Sequence, residues 1–383
     1  MAGGTSIPAR KAFAENLLEK LHGPEAEAIK PLEKLDDGVV GYSFDLVPLR
    51  QSLNAQHQKK ANDLTTTTSS TSPSLSHLTD LLTPLLETSL AVLPITKLRL
   101  INSTKSPHEI LKLISTIGID LFDAQWAQEA ADIGIALDFQ FPVRGNEEQQ
   151  RGVEIGHNLY DSKFSLDFNP LANSFRGAAS AVVDDNTDLP ICSCAACSPI
   201  SPSTRIFHGA DTPSNDELEK NKSNNTPQYK PHFTRAYIHH LLHTHEMSAH
   251  ALLAMHNLQI LSSFFAGIRH VLLSLDDSSN SDEDERWKKE VDRFTKMYDD
   301  EESLDVLFDS ARMSWKEVDL ARGKGRLVRE KEKDKTLAEQ EQEQEQVVDS
   351  VDSVDVYAKS SFFLFIHALI VFFRNFVLGS TTT

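Results

Sequence analysis

The chain has 383 residues, 40% hydrophobic and 25% charged, and its 38 Lys and Arg face 56 Asp and Glu for a formal charge of −18. That length can hold a complete (β/α)8 barrel with a further small domain, and that acidity argues against a protein that grips nucleic-acid phosphates on its own. The three cysteines, an odd number at spacings too short for an easy internal bridge, exclude a disulfide framework. Met1 to Gly23 carries charges and no apolar core, so it does not read as a secretory signal. A reducing compartment follows, and there clustered cysteines favour a metal.

Residues 1–36 read as a short charged lead. Residues 37–190 read as α/β. A Thr/Ser-rich insertion near 63–77 precedes a helix expected over 78–93. Lys97 to Asn102 alternates like a strand. Pro107 to Ile114, with proline at the start and helical apolar spacing, predicts a helix. Gly118 to Asp123 predicts a turn into a buried strand that ends at Asp123. Strand, helix and strand in this order are the repeat of a (β/α)8 barrel or an open parallel sheet. In a barrel the residues at the C-terminal ends of strands form the active site, which is where Asp123 falls. Taken alone, an aspartate there is as readily a helix cap.

Residues 191–320 open on Cys192-Ser193-Cys194-Ala195-Ala196-Cys197. Three thiolates and one imidazole make a closed, tetrahedral zinc site. The fourth ligand stays open at this level, since His239, His240, His243, His245, His250 and His256 lie in one helical stretch. His239 and His243 share a face, as do His240 and His243. His245-Glu246 followed by His250 does not have zinc-protease spacing. An insertion over 198–231, rich in Ser, Pro, Asn and charge, reads as a surface loop. Trp287 to Trp315 predicts one or two packed helices after an acidic Ser-rich loop. Residues 321–358 are charged and of low complexity, and their basic patches read as solvated surface. Residues 359–383 form a hydrophobic tail. Its apolar run, Phe362 to Phe373, falls short of the roughly 20 residues that span a bilayer. A marginal tail anchor, an interfacial helix and a tail packed on a partner are the readings it allows.

The cysteine cluster, Arg235-Ala-Tyr-Ile-His-His-Leu-Leu, Glu246-Met247 and His256-Asn257-Leu258 together resemble the zinc subdomain of the tRNA-guanine transglycosylases. The resemblance implies a zinc held by Cys192, Cys194, Cys197 and His256, one ion per subunit and structural in role. It extends, with insertions, over roughly 39–273. It implies a partial TIM barrel of the transglycosylase type with a C-terminal zinc-binding subdomain, the N-terminal half of the barrel being missing from this sequence. Gly118-Ile-Asp-Leu-Phe-Asp123 resembles the segment that carries the family's nucleophilic aspartate, and Asp123 is the matching position. The family's following Pro-Thr-Arg segment is replaced by Ala124-Gln125-Trp126, and Glu129 and Asp132 fall where its arginines would lie. Carboxylates there repel phosphate. The Asp-Ser-Gly-Gly and Gly-Gly-Leu elements of base recognition are absent from the sequence.

This pattern resembles the non-catalytic accessory subunit of eukaryotic queuine tRNA-ribosyltransferase. The resemblance implies a heterodimer with the catalytic subunit, with tRNA met through the complex. Guanine would be exchanged for queuine at the wobble position of tRNAs with G-U-N anticodons. It further implies a cytoplasmic protein, at the mitochondrial outer membrane if the tail touches lipid. Two other expectations compete: an active transglycosylase with Asp123 as nucleophile, and a membrane-tethered zinc scaffold.

Overall fold

The computed structural model describes residues 3–28, 30–63, 75–144, 152–183, 189–200, 229–274, 283–298 and 301–323. The Thr/Ser run, the body of the insertion over 198–231, the charged segment beyond Gly323 and the 359–383 tail lie outside these residues. The chain divides into two units after Val318. Of the second unit only residues 319–323, the end of a helix, are described.

In the first unit, helix α1 (Ile7–Leu18) and the short α2 (Pro24–Ala28) precede strand β1 (Gly41–Asp45) and helices α3 (Leu46–Asp63) and α4 (Leu75–Leu90). Strand β2 (Leu98–Asn102), helix α5 (Pro107–Ile117), strand β3 (Leu121–Phe122) and helix α6 (Gln125–Asp132) follow. The three strands form one parallel sheet in the order β1-β2-β3. Phe44, Ile101 and Phe122 align across it on the face turned to the helices. Helix α5 shows why the sequence folds this way. Ser106 caps its first turn by accepting from the Glu109 amide, Pro107 sits where no donor is needed, and Gly118 ends it at φ 69°. Its buried face, Ile110, Leu111, Leu113 and Ile117, joins the core.

The lead has more structure than its composition suggests. Helix α1 packs on α4, and the buried Arg10 guanidinium donates to Ser89 Oγ at 2.9 Å and to the Gly4 carbonyl at 2.6 Å. The predicted buried strand ending at Asp123 is corrected: β3 has two residues, and Leu121 is 44% exposed. It pairs with β2 alone among the described residues, so its outer edge has no neighbour to cover it.

A two-stranded antiparallel sheet, β4 (Ile135–Leu137) and β5 (Gly156–Asn158), follows. After α7 (Ala178–Val183) come α8 (Arg235–His243), α9 (Met247–Leu273), α10 (Glu283–Met297) and α11 (Glu301–Gly323). The last two carry the residues expected to form one or two helices. Trp126, Phe139, Phe264, Phe294 and Phe308 fill the core between α6, β4, α9, α10 and α11. Gly267 lets α9 pass the Phe141 carbonyl, which a Cβ there would meet at 1.6 Å. The parallel strand-helix units expected from the sequence are present within a mixed helix and sheet fold. The barrel itself is not: among the described residues the sheets have three and two strands.

Candidate metal centre

Strand β4 uses both its edges. On one, Asp138 N donates to Ile155 O and Leu159 N to Gly134 O, which ties it to β5. On the other no strand is paired, yet backbone groups there must still be satisfied. Helix α9 supplies the partners from two consecutive side chains. Asn257 accepts from Leu137 N at 2.9 Å and donates to Ile135 O at 2.9 Å and Ala127 O at 3.1 Å. His256 donates from Nε2 to Leu137 O at 3.0 Å. Both side chains are wholly buried. The Leu137 bond places the imidazole proton on Nε2 and leaves Nδ1 as a lone pair aimed away from the strand.

Cys192, Cys194 and Cys197 meet that lone pair. Their Sγ atoms lie 3.8, 3.8 and 3.4 Å from His256 Nδ1, and Cys192 and Cys194 are 3.4 Å apart at sulfur. All four residues are buried, with their ligand atoms within 4.8 Å of one another. A tetrahedron with metal–sulfur arms of about 2.3 Å has edges of about 3.8 Å, so the spacing suits one ion at the centre.

The loop that presents the thiols is built from its own backbone. Ser198 N donates to Cys194 O at 2.8 Å, and the Cys197 amide points at Cys194 Sγ at 3.3 Å. Cys192 N donates to Arg176 O, while Ser198 Oγ donates to Cys192 O and accepts from Ala178 N. Gly177 lies under the loop, where a Cβ would meet Cys197 O at 2.1 Å.

The electrostatics call for a cation. The hydrogen bonds of Cys192 and Cys197 hold the Cys194 thiol far below its ordinary range despite burial. The Cys197 thiol is driven far above it by Cys192, Cys194 and burial. Burial disfavours a charged His256, but Cys192 and Cys194 outweigh it and raise the imidazole to about 10. Crowded thiols in a dry site cannot all ionise unless positive charge joins them. A bound divalent ion removes that conflict.

The other histidines of the stretch go elsewhere. His239 Nδ1 bonds Leu159 O, His243 Nδ1 bonds His239 O, and His250 Nδ1 bonds Ala131 O.

Asp123 follows β3 directly and serves the β2–α5 turn. Its Oδ2 accepts from the Ser103 amide at 2.8 Å, and its Oδ1 is buried with no hydrogen-bond partner. Ser103 adopts φ 67° and is gripped again through its carbonyl by Arg50. Arg50 in turn forms a buried bidentate pair with Glu109 at 2.5 and 2.6 Å. Glu129 is not a free repelling charge, because Lys105 Nζ sits 2.6 Å from it. Asp132 accepts from Gln128 at the exposed end of α6.

One buried cluster escaped the sequence reading. The Asp138 carboxylate accepts from the Asn173 and Ser174 amides and faces His157 Nε2 at 3.1 Å. Arg235 Nη2 approaches the same nitrogen at 3.1 Å and donates to Asn173 Oδ1, while its Nη1 pairs with Asp167. Burial pushes the Asp138 carboxyl up, but the His157 and amide contacts prevail and hold it below the usual range. Arg235 was visible as part of a motif; its partners are distant in sequence and carry no local signal.

A family model described as queuine tRNA-ribosyltransferase matches residues 216–285, the stretch that contains α8, α9 and His256. The protein named queuine tRNA-ribosyltransferase accessory subunit 2 in Schizosaccharomyces pombe is 28% identical over 191 residues, covering 50% of this chain and 31% of that relative. The protein of the same name in Homo sapiens is 30% identical over 217 residues, covering 50% of this chain and 40% of its own length. The chain is a homologue of the queuine tRNA-ribosyltransferase accessory subunits. A queuine tRNA-ribosyltransferase-like protein of Plasmodium falciparum is also similar, 28% identical over 47% of this chain and 61% of that relative. The chain thus spans about a third to two fifths of the length of the accessory subunits it matches.

Proposed function

We propose that the protein is a zinc-bearing, non-catalytic accessory subunit of a heterodimeric queuine tRNA-ribosyltransferase. In that complex guanine at the wobble position of G-U-N tRNAs is exchanged for queuine by the catalytic partner. The observation that carries the reading is the fate of Asp123. A nucleophilic carboxylate needs an oxygen open to the substrate. Here one oxygen is committed to the Ser103 amide and the other is buried. The net charge of −18 agrees with tRNA being held by a partner. The strand-helix units around Asp123 are read as the remnant of a transglycosylase barrel.

Zinc fits Cys192, Cys194, Cys197 and His256 because three soft thiolates and an imidazole select it among common divalent ions. All four positions of a tetrahedron are protein atoms, so no open site remains for water and the role is structural. Bound there, zinc would cross-link the 192–197 loop to α9. The protein is placed in the cytoplasm on this reading, with membrane contact, if any, made by the 359–383 tail.

The test is co-expression with a eukaryotic catalytic subunit, followed by zinc stoichiometry and guanine exchange into tRNA. The expected result is one zinc per chain, exchange by the complex and none by this chain alone. Exchange by the isolated chain that Asp123→Asn abolishes would instead make it an active transglycosylase. A chain that neither co-purifies with the catalytic subunit nor restores queuosine to cells lacking their accessory subunit would be a scaffold of another kind.

A further inference from the structure

Helix α9 is too apolar for the surface it shows. One 18-residue window has a mean hydropathy of 1.4, yet only 39% of it is buried. From Met247 to Ile268 it carries no Asp, Glu, Lys or Arg, in a chain with a net charge of −18. A helix apolar on every side is normally enclosed on every side. Leu253, His256, Asn257, Ile260, Phe264 and Ile268 are buried. Met247, Ala251, Met255, Leu258, Ser262 and Ala266 are exposed, Met247 at 84%, Met255 at 42% and Leu258 at 40%. At ~100° per residue these exposed positions fall within one arc of ~100°, on the side away from the core.

A lipid bilayer does not account for this face. The same helix holds a metal ligand and the asparagine that closes the β4 edge, so it cannot leave the fold to span a membrane. The pattern is that of a helix–helix seam. Large side chains stand at the middle, and small ones at Ala251, Ser262 and Ala266 allow a second helix to approach closely. From Met247 to Ala266 the stripe runs roughly 28 Å, enough for the long axis of an interface of about 800 Å² per partner.

We infer that this stripe is the docking face for the catalytic subunit, received by an uncharged, apolar helix face of that partner. The inference rests on the proposed function and names the surface it uses. Two observations select this occupant. The homologues are named accessory subunits, which implies a subunit to be accessory to. The stripe is also continuous with the metal centre: Met255 and Leu258 flank His256 and Asn257 on the same turns of α9. The bound metal would then fix the rotation of α9 and hold the stripe outward.

The test uses the full chain with Met255→Glu and Leu258→Glu combined. Zinc content and thermal unfolding serve as controls, and affinity for the catalytic subunit is the readout. Two carboxylates desolvated against an apolar face without counter-charges should weaken binding by at least 100-fold, with zinc retained. Should the pair disturb folding, Met255→Ser with Leu258→Ser is read in its place, with at least a 10-fold loss expected. Unchanged affinity in a folded, zinc-bearing variant overturns the inference while leaving the proposed function intact. A wild-type chain that does not bind the catalytic subunit overturns both. A wild-type chain that only self-associates, and becomes monomeric in the variant, assigns the stripe to a second copy and also overturns it.

Discussion

Asn257→Leu tests how far the metal-bearing half depends on one side chain. The amide makes three buried hydrogen bonds, and leucine has nearly its volume. Packing is therefore almost unchanged and polar satisfaction is what the substitution removes. Ala127 O lies within α6 and can still accept along its own helix, so its loss is small. Leu137 N and Ile135 O lie on the free edge of β4 and are left without a partner in a dry interior. Each orphaned group costs about 1–3 kcal/mol, so the expected destabilisation is about 2–5 kcal/mol, a large share of a stability of roughly 5–15 kcal/mol. The assay is urea unfolding of the zinc-loaded protein, followed by fluorescence of the buried Trp126 and Trp287. Asn257→Asp should cost as much or more. It keeps the acceptor for Leu137 N but turns a buried carboxylate toward two carbonyl oxygens. A loss below about 1 kcal/mol in both variants would refute the edge-closing role.

Gly267→Ala should prevent folding or cost about 3 kcal/mol or more, since the ~1 kcal/mol that alanine gains in a helix cannot offset a Cβ at 1.6 Å from Phe141 O; soluble yield and melting temperature decide it. Gly177→Ala should leave β4 and α9 folded but displace the Cys197 carbonyl, with at least a 10-fold loss of zinc affinity in competition with a chromogenic chelator. Cys194→Ala should lose zinc and unfold the metal-binding half; unchanged melting with zinc retained would remove the metal assignment. The pH dependence follows from Asp138. Its carboxyl is held below its unfolded value of about 3.9, so its contribution is present above about pH 4 and is lost as pH falls through the lower folded value. Urea midpoints should therefore drop more steeply below about pH 4 in the wild type than in Asp138→Asn, and parallel curves would show that Asp138 is not the group responsible.

What the sequence reveals depends on how local the chemistry is. The thiols lie within six consecutive residues, so their spacing alone points to a metal. The imidazole was one of several on a histidine-rich stretch, and helical spacing favoured a pair on α8 that the structure puts to other use. What distinguishes His256 is a bond to Leu137 O, which is 119 positions away and leaves no periodic trace. Helix α5 was legible because its caps and apolar stripe are written within its own residues. Strand β3 was misjudged because burial of a short apolar run depends on whether the sheet continues beside it, and among the described residues it does not.

The two centres on either side of α6 answer to different demands. Around Asp123 the polar groups are turned inward on one another: Ser103 is held by Asp123 and Arg50, Arg50 by Glu109, and Glu129 by Lys105. Such a network stabilises a turn at φ 67° but leaves no converging donors to bind a substrate. Around His256 the polar groups serve a shape. The metal ligands and Asn257 fix a 27-residue helix against the open edge of β4 and leave its opposite side apolar and uncharged. A protein that acted on tRNA by itself would need the reverse, an accessible carboxylate and a charged face for phosphate. Closed chemistry at the strand ends and an open apolar helix face suit a chain that contributes a surface to a complex and leaves the reaction to its partner.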